Sequence, residues 1–419
     1  MTKGHPMIPE LLLCLLALVH APTDTLSSVE IPERIAASLD SGSSLLVEVQ
    51  EGSGGAEWPY EGVYRVRAIP SDPKALVKGR VSIPIGYRVG GTGICAQAMF
   101  QAPGYANHPE RVEAVGKAID FVCLSIEDPR MSPEDYQGGY DVRGWGYIYG
   151  LRMLLAAQKS DVVSESRTKK VRDTIEWFIE ALDTIEIPRI GGWNYARQGG
   201  ADQASPTSPF MTAPALIALF DAREQGFDVD ASMVDRALTG LKRCVAPDGY
   251  VSYSGSRQTA DNPGQIPGAI GRMVSAESAL FLAGRSDQKR LAEAVEDFFE
   301  HWQELEKRRR KNGTHDPPYG VAPYYFFYGF NYCAEAIELL PETARDSARK
   351  RLRDILFQVR ETDGSWNDRV FKRSRAFGTA MTMNALQKQW LPAPVAWPGT
   401  RPTATPAGEP DPDPVVSSP

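Results

Sequence analysis

The chain has 419 residues, 42% of them hydrophobic, which is enough to bury a large core and long enough for two or three domains. Its formal net charge of -7 excludes a general nucleic-acid role, because no broad positive field is available to neutralise phosphates. Five cysteines, scattered and without a CxxC pair, exclude a zinc-ribbon or small disulfide framework.

The first residues read as an export signal. Lys3 and His5 give a weakly basic start, Leu11 to Val19 form an apolar run, and Val19-His20-Ala21 supplies small-residue spacing for cleavage after Ala21. Pro22 directly after that bond is unfavourable for cleavage. The run is too short to span a bilayer and no second run of membrane length follows. Residues 1–21 are therefore expected to be a signal peptide, and the mature chain to be secreted or periplasmic with no integral membrane segment.

From residue 29 to residue 390 one unit recurs. A Gly- and aromatic-rich loop leads into an apolar helix with small residues, then a short turn, then a charged amphipathic helix. Apolar helices are predicted over 91–101, 144–158, 209–224, 271–284, 323–340 and 374–390. Their starts lie roughly 50 to 65 residues apart, a repeat-array spacing. Amphipathic helices are predicted over 31–50, 109–126, 166–185, 231–245, 286–311 and 342–360. In the third of these, Val171, Ile175, Phe178, Ile179 and Leu182 share one face with charges opposite. Ser208-Pro209 reads as a cap followed by Pro at the first helical position, and Asp230 as an N-cap.

Helices apolar all round must be buried on both sides, and one-faced helices need only one neighbour layer. The first kind is expected to form an inner ring and the second an outer ring. Small residues such as Gly150, Ala213, Ala276 and Gly378 let the inner helices crowd around a narrow axis. Six of each close a ring, an all-α α/α toroid. Residues 53–84, with Gly54, Gly55, Pro70 and Pro73, read as an irregular insertion. Residues 391–419, crowded with Pro, Thr, Ala and Asp, have little to bury and are expected to be disordered. Cys95, Cys123, Cys244 and Cys333 are expected to be free buried thiols. Cys95 and Cys123 sit unequally far from the turn near Gly104 and would miss each other by about 10 Å.

Three strings carry a family resemblance: Gly191-Gly192-Trp193-Asn194-Tyr195, Asp363-Gly364-Ser365-Trp366-Asn367-Asp368, and the segment from Phe377-Gly378-Thr379 to Gln387. With them the chain resembles the terpenoid cyclase and protein prenyltransferase superfamily, the prenyltransferase and squalene oxidase repeats, and within it the uncharacterised exported members from bacteria such as planctomycetes. Squalene cyclase repeats end in Gln, a few residues, then Gly-x-Trp. Gln358 followed by Gly364-Ser365-Trp366 matches that half, whereas Asp183 stands where Gln is expected before Gly191-Gly192-Trp193. The resemblance implies a toroid in which such loops tie outer to inner helix, so Trp193 and Trp366 are expected to be structural.

The chemistry motifs of that superfamily are missing. Alkene-protonating cyclases use Asp-x-Asp-Asp, and the nearest string, Asp228-Val229-Asp230-Ala231, lacks the last Asp. Prenyltransferases hold zinc with Asp, Cys and His, but His108, His301 and His315 are not near Cys at metal spacing, and there is no HExxH. No thioester string, nucleophile elbow or P-loop occurs either, so neither a metal nor a cofactor is expected.

What remains is the lining of the ring. Trp145, Tyr147, Tyr324, Tyr325 and Tyr328 lie in or beside inner helices, and Arg143, Asn194, Arg197, Arg272 and Arg375 lie at or near their starts. These ten are the expected ligand-binding residues. Glu277 interrupts an apolar inner helix, where a desolvated carboxyl is expected to have a raised pKa. Glu277, Asp141 and Asp368 are the candidate acid/base residues. Aromatic faces with Arg at the mouth suit sugar rings carrying acidic groups, and equally isoprenoids. Export favours a small-molecule or oligosaccharide ligand of glycan type. The resemblance implies an isoprenoid-processing alternative, and a non-catalytic scaffold for a protein partner is a third.

Overall fold

A computed structural model describes residues 31–60, 83–134, 136, 139–197, 199–255, 266–311 and 315–398. The expected signal peptide (1–21) and all but the first eight residues of the expected tail lie outside them.

Among the described residues there are twelve α-helices: α1 Glu33–Glu48, α2 Ile85–Phe100, α3 Pro109–Ser125, α4 Arg143–Lys159, α5 Glu165–Thr184, α6 Pro209–Glu224, α7 Ala231–Lys242, α8 Ile266–Leu282, α9 Gln288–Glu306, α10 Tyr325–Ile337, α11 Glu342–Gln358 and α12 Ser374–Gln387. Around the axis, α2 packs on α4, α4 on α6, α6 on α8, α8 on α10, α10 on α12, and α12 returns to α2. The even-numbered helices therefore form a closed inner ring. The odd-numbered ones lie outside, each against at least one inner helix. The fold is an α/α toroid, and the difference in polarity between its two kinds of helix explains the layering. In α8 every residue from Gly268 to Leu282 is buried, whereas α11 buries only Ala348, Leu352 and Leu356.

Inner helices run parallel, because each is separated from the next by one antiparallel outer helix. Where α2 meets α4 the approach is backbone to backbone. A Cβ on Gly93 would stand 2.4 Å from the carbonyl oxygen of Tyr149, so no larger residue fits there without shifting a helix.

Indoles fasten outer to inner helices. Trp193 donates Nε1–H to the carbonyl of Leu182 on α5 (2.8 Å), and its own backbone N–H is accepted by Oγ1 of Thr212 on α6 (2.9 Å). Trp366 repeats this with Leu356 on α11 (2.7 Å) and Thr379 on α12 (3.1 Å). Trp58 repeats it with Leu46 on α1 (2.7 Å) and Thr92 on α2 (2.9 Å). Trp58 lies in the segment expected to be an irregular insertion, and its clasp makes residues 53–60 part of the repeat. Residues 61–82 lie outside the described residues.

Three other expectations change. α2 begins at Ile85, six residues ahead of the predicted start at 91. Ser208 precedes Pro209 at the head of α6, but its hydroxyl makes no capping bond. Residues 391–398 are placed against the ring rather than disordered. Trp397 donates its backbone N–H to Leu282 at the end of α8 (2.9 Å) and packs its ring 5.4 Å from Phe220 on α6. Asp230 caps α7 as expected, accepting from Ser232 and Met233.

A buried ionic cluster crosses the axis. Glu335 on α10 accepts from Arg152 on α4, which stands opposite it in the ring, and from Lys388 beyond α12 (3.2 Å). Tyr149 and Tyr332 join hydroxyls beside it at 3.1 Å. Burial pushes the Glu335 carboxyl up, but the attraction of Arg152 and Lys388 overcomes this and leaves it below the ordinary Glu range.

Candidate functional site

Above that cluster, at the end of the ring where the inner helices begin, lies a cavity of about 440 Å³. Residues from the first three turns of the inner helices form its walls: Tyr87 and Ile94 of α2, Trp145 and Tyr149 of α4, Phe210 of α6, Tyr328 of α10, Phe377 and Met381 of α12. The segments between helices supply Tyr60, Tyr140, Tyr195, Tyr253, His315, Tyr324 and Arg369. Two short strands, β1 Gly139–Tyr140 and β2 Ala196–Arg197, pair antiparallel and hold Tyr140 and Ala196 at the rim.

The walls are packed rings. Trp145 and Tyr149 lie nearly parallel, 5.8 Å apart at 8°. Phenol hydroxyls are tied in pairs, Tyr87 to Tyr140 at 2.8 Å and Tyr195 to Tyr253. His315 links Tyr324 through Nε2 and Tyr325 through Nδ1, both at 3.2 Å. Burial raises the pKa of Tyr195, Tyr324 and Tyr328, so these phenols stay neutral and act as hydrogen-bonding groups.

Of the predicted site residues, Trp145, Tyr324 and Tyr328 line this cavity and the others do not. Tyr147 faces outward to Trp177 and Phe178 and donates its hydroxyl to Met131. Tyr325 is stacked on Phe210 one layer behind the wall, at 4.5 Å. Asp141 and Arg143 pair with each other at 2.5 Å. Asn194 bridges its own loop, donating to Pro206 and accepting from Ala196, both at 2.8 Å. Arg197 ties the carbonyls of Ile185, Ala201 and Gln203, each at 3.0 Å. Arg272 ties Val251 at 2.6 Å and Gly268 at 2.8 Å. Arg375 faces Asp363 and Glu48 away from the cavity. Arginines at helix starts thus serve the loops there: the carbonyls of irregular backbone need donors, and a guanidinium has five.

Glu277 sits on α8 beside the turn into α9, where it accepts a hydrogen bond from Ser286 Oγ at 2.5 Å. It is not part of the cavity wall. Replacing it with Gln is expected to change stability by about 1–3 kcal/mol, because its carboxylate is buried, and to leave ligand affinity unchanged. Urea titration together with a binding isotherm checks both halves of this expectation.

Asp368 and Arg369 form the chemically unusual part of the site. Their loop is held by Arg309 at the end of α9, which donates to Glu361 (2.8 Å) and to Asn367 (3.2 Å), and by the backbone N–H of Arg310, which donates to the Asp368 carbonyl (2.8 Å). Both Asp368 carboxylate oxygens are buried with no hydrogen-bond partner among the described residues. Burial, only partly offset by Arg369 and Arg309, pushes its pKa up to about 7. Arg369 is buried too, and it forms part of the cavity wall.

Arg369, Tyr60, Tyr87, Tyr140, Tyr253, His315 and Phe377 also stand in the wall and are not among the residues expected there. For those outside the helices the available signal was a polar or aromatic residue in the segment ahead of an inner helix, the same position that picked out Asp368.

Cys95, Cys123, Cys244 and Cys333 are free and buried, as expected. Asp297, Glu300 and His301 on α9 bring three possible metal-ligand atoms within 4.8 Å of one another. They lie on an outer helix, apart from the cavity, and exposed acidic groups share such spacing without an ion. Among the described residues no helix is long and apolar enough to cross a membrane.

No family model and no curated protein matches the chain. Solved structures do. An inactive variant of the α-1,6-mannanase GH76A of Salegentibacter sp. HEL1_6, in complex with α-1,6-mannotriose, is 11% identical with a TM-score of 0.54, over 84% of this chain and 99% of that one. The GH76A α-1,6-mannanase from the same organism in a second structure is 11% identical with a TM-score of 0.52, over 84% and 98%. The type II terpene cyclase MstE from Scytonema is 15% identical with a TM-score of 0.48, over 85% and 98%. At 11% identity, what this chain shares with the mannanase is the α/α-toroid fold.

Proposed function

We propose that the protein is a binding protein for an elongated, largely apolar ligand of isoprenoid type, held in the axial cavity. The observation that carries this reading is the composition of the wall: eleven of its residues are aromatic, and among the described residues no Asp or Glu lines it. Aromatic and apolar surface rewards burial of a hydrocarbon chain. Cleaving a glycosidic bond needs two carboxyl groups flanking the bond, and the described residues of this wall supply none. Tyr60, Tyr140, Tyr195, Tyr253 and Tyr324 line the cavity at the end where the inner helices begin, so a ligand enters from that end.

A glycan is the second reading. The parallel pair of Trp145 and Tyr149 favours it, being the kind of platform on which sugar rings stack. A toroid mannanase with mannotriose bound is also similar in fold. A scaffold role has no such observation behind it. Export through residues 1–21 remains part of the proposal and suits a ligand met in the cell envelope.

The test is a thermal-shift screen of the mature chain against farnesol and geranylgeraniol beside mannotriose and acidic oligosaccharides. A ligand that binds only the folded state contributes about 2.7 kcal/mol at a hundredfold excess over its dissociation constant. A shift with the isoprenoid alcohols that is lost on Ala196→Trp, which fills the rim, supports the reading. A shift confined to the oligosaccharides moves the assignment to the glycan, and a flat response to both classes overturns both.

A further inference from the structure

A buried guanidinium normally gives its donors to carboxylates or carbonyls, because an unpaired buried charge is costly. Arg143, Arg197 and Arg272 do this in the present structure. Arg369 does not. It is 1% exposed, and Nε, Nη1 and Nη2 are all without a hydrogen-bond partner among the described residues. Its neighbours are the rings of Tyr324 and Phe371, with centroids 5.8 and 5.6 Å away, and the cavity itself. The backbone is pinned, since Arg369 N–H is accepted by Asn367 Oδ1 at 2.9 Å. The fork is therefore held at the wall with its donors unused.

We propose that Arg369 is an anion anchor, so that the ligand of this cavity carries one carboxylate or phosphate group beside its apolar body. The inference rests on the ligand-binding reading above and adds the chemistry of the ligand's head group. A guanidinium binds either anion through two parallel hydrogen bonds, and the surrounding rings exclude the water that would weaken them. Asp368 couples this site to pH. Among the described residues, the charged groups acting on it are Arg369 and, just beyond α9, Arg309; Tyr324 before α10 and Tyr140 on β1 are polar neighbours of Arg369, and His315 lines the same cavity. An anion seated on Arg369 competes with the Asp368 carboxylate for the same positive charge. Binding then draws a proton onto Asp368, and affinity falls as pH rises through its titration near 7.

Small aromatic probes test the anchor without requiring an isoprenoid chain. Benzoate, phenyl phosphate and benzyl alcohol are titrated calorimetrically into the full chain and into Arg369→Gln and Arg369→Lys. The anchor predicts that at least one anion binds wild type tenfold or more tighter than the alcohol. Arg369→Gln removes that preference and Arg369→Lys retains part of it. Benzoate alone gaining affinity names a carboxylate, phenyl phosphate alone a phosphate. Benzoate affinity also rises from pH 8 to pH 6 in wild type and not in Asp368→Asn. Anions that bind wild type no better than the alcohol overturn the anchor whether or not the variants fold. So does a preference that survives in a folded Arg369→Gln. If the anions bind while farnesol does not, the isoprenoid reading fails and the anchor stands.

Discussion

Replacing Trp193 by Ala is expected to destabilise the protein by about 3–5 kcal/mol, the range for removing a large buried aromatic side chain. The indole is fully buried and joins α5 to α6 through two hydrogen bonds, one from Nε1 to Leu182 and one between its backbone N–H and Thr212. Thr212→Val keeps the shape and removes the acceptor. That leaves a buried N–H without a partner at a cost of about 1–3 kcal/mol. The double variant is expected to lose less than the sum of the two, because both act on one clasp. Urea midpoints of the three variants measure this. Additive losses would mean that Trp193 only fills space. Trp58 and Trp366 make the same bonds, so comparable losses at those positions would establish the clasp as a repeated device of the fold.

Glu335→Ala is expected to cost a similar 3–5 kcal/mol by a different mechanism. Removing one partner of a buried ion pair leaves the other charge uncompensated. Here Arg152 and Lys388 would both be stranded, each mostly buried. The pH dependence gives a second check. Because the Glu335 pKa lies below its ordinary value of 4.5 in the folded chain, its contribution is fully present above that value. It is lost as pH falls through the lower, folded value. Wild type should therefore show an acid limb in its stability curve that Glu335→Ala flattens. Equal acid limbs in the two proteins, read by denaturant titration between pH 6 and pH 3, would refute the assignment.

Local pattern carried much of the architecture. α6 matches its predicted span, and α3, α4, α5 and α11 match theirs within two residues at each end. Their apolar spacing, proline starts and charged faces all act within a few turns of chain. The indoles of Trp193 and Trp366 were legible as structural for the same reason, since each sits in a short loop between an outer and an inner helix. Trp58 was not, because the proline- and glycine-rich stretch around it masked the repeat. Trp397 was missed because its partners on α6 and α8 lie far back along the chain.

The candidate site was less legible. Residue type and position put Trp145, Tyr324 and Tyr328 at the ring's mouth, and all three line the cavity. The same argument put Arg197 and Arg272 there, but the loops around them have unpaired carbonyls, and each guanidinium went to those. Arg369, passed over, is the arginine whose donors the loops leave unused.

By itself, then, the sequence determined the ring. Helix periodicity and the contrast between all-apolar and one-faced helices are local properties, and burying both kinds leaves a two-layered toroid as the arrangement that fits. Tertiary structure alone decided which side chains share a space. Arg152 and Glu335 stand 183 residues apart in the chain and meet only because α4 and α10 face each other across a closed ring. A side chain's direction at the mouth depends on which backbone groups its neighbours leave unsatisfied, and that competition is settled only once the loops are folded together.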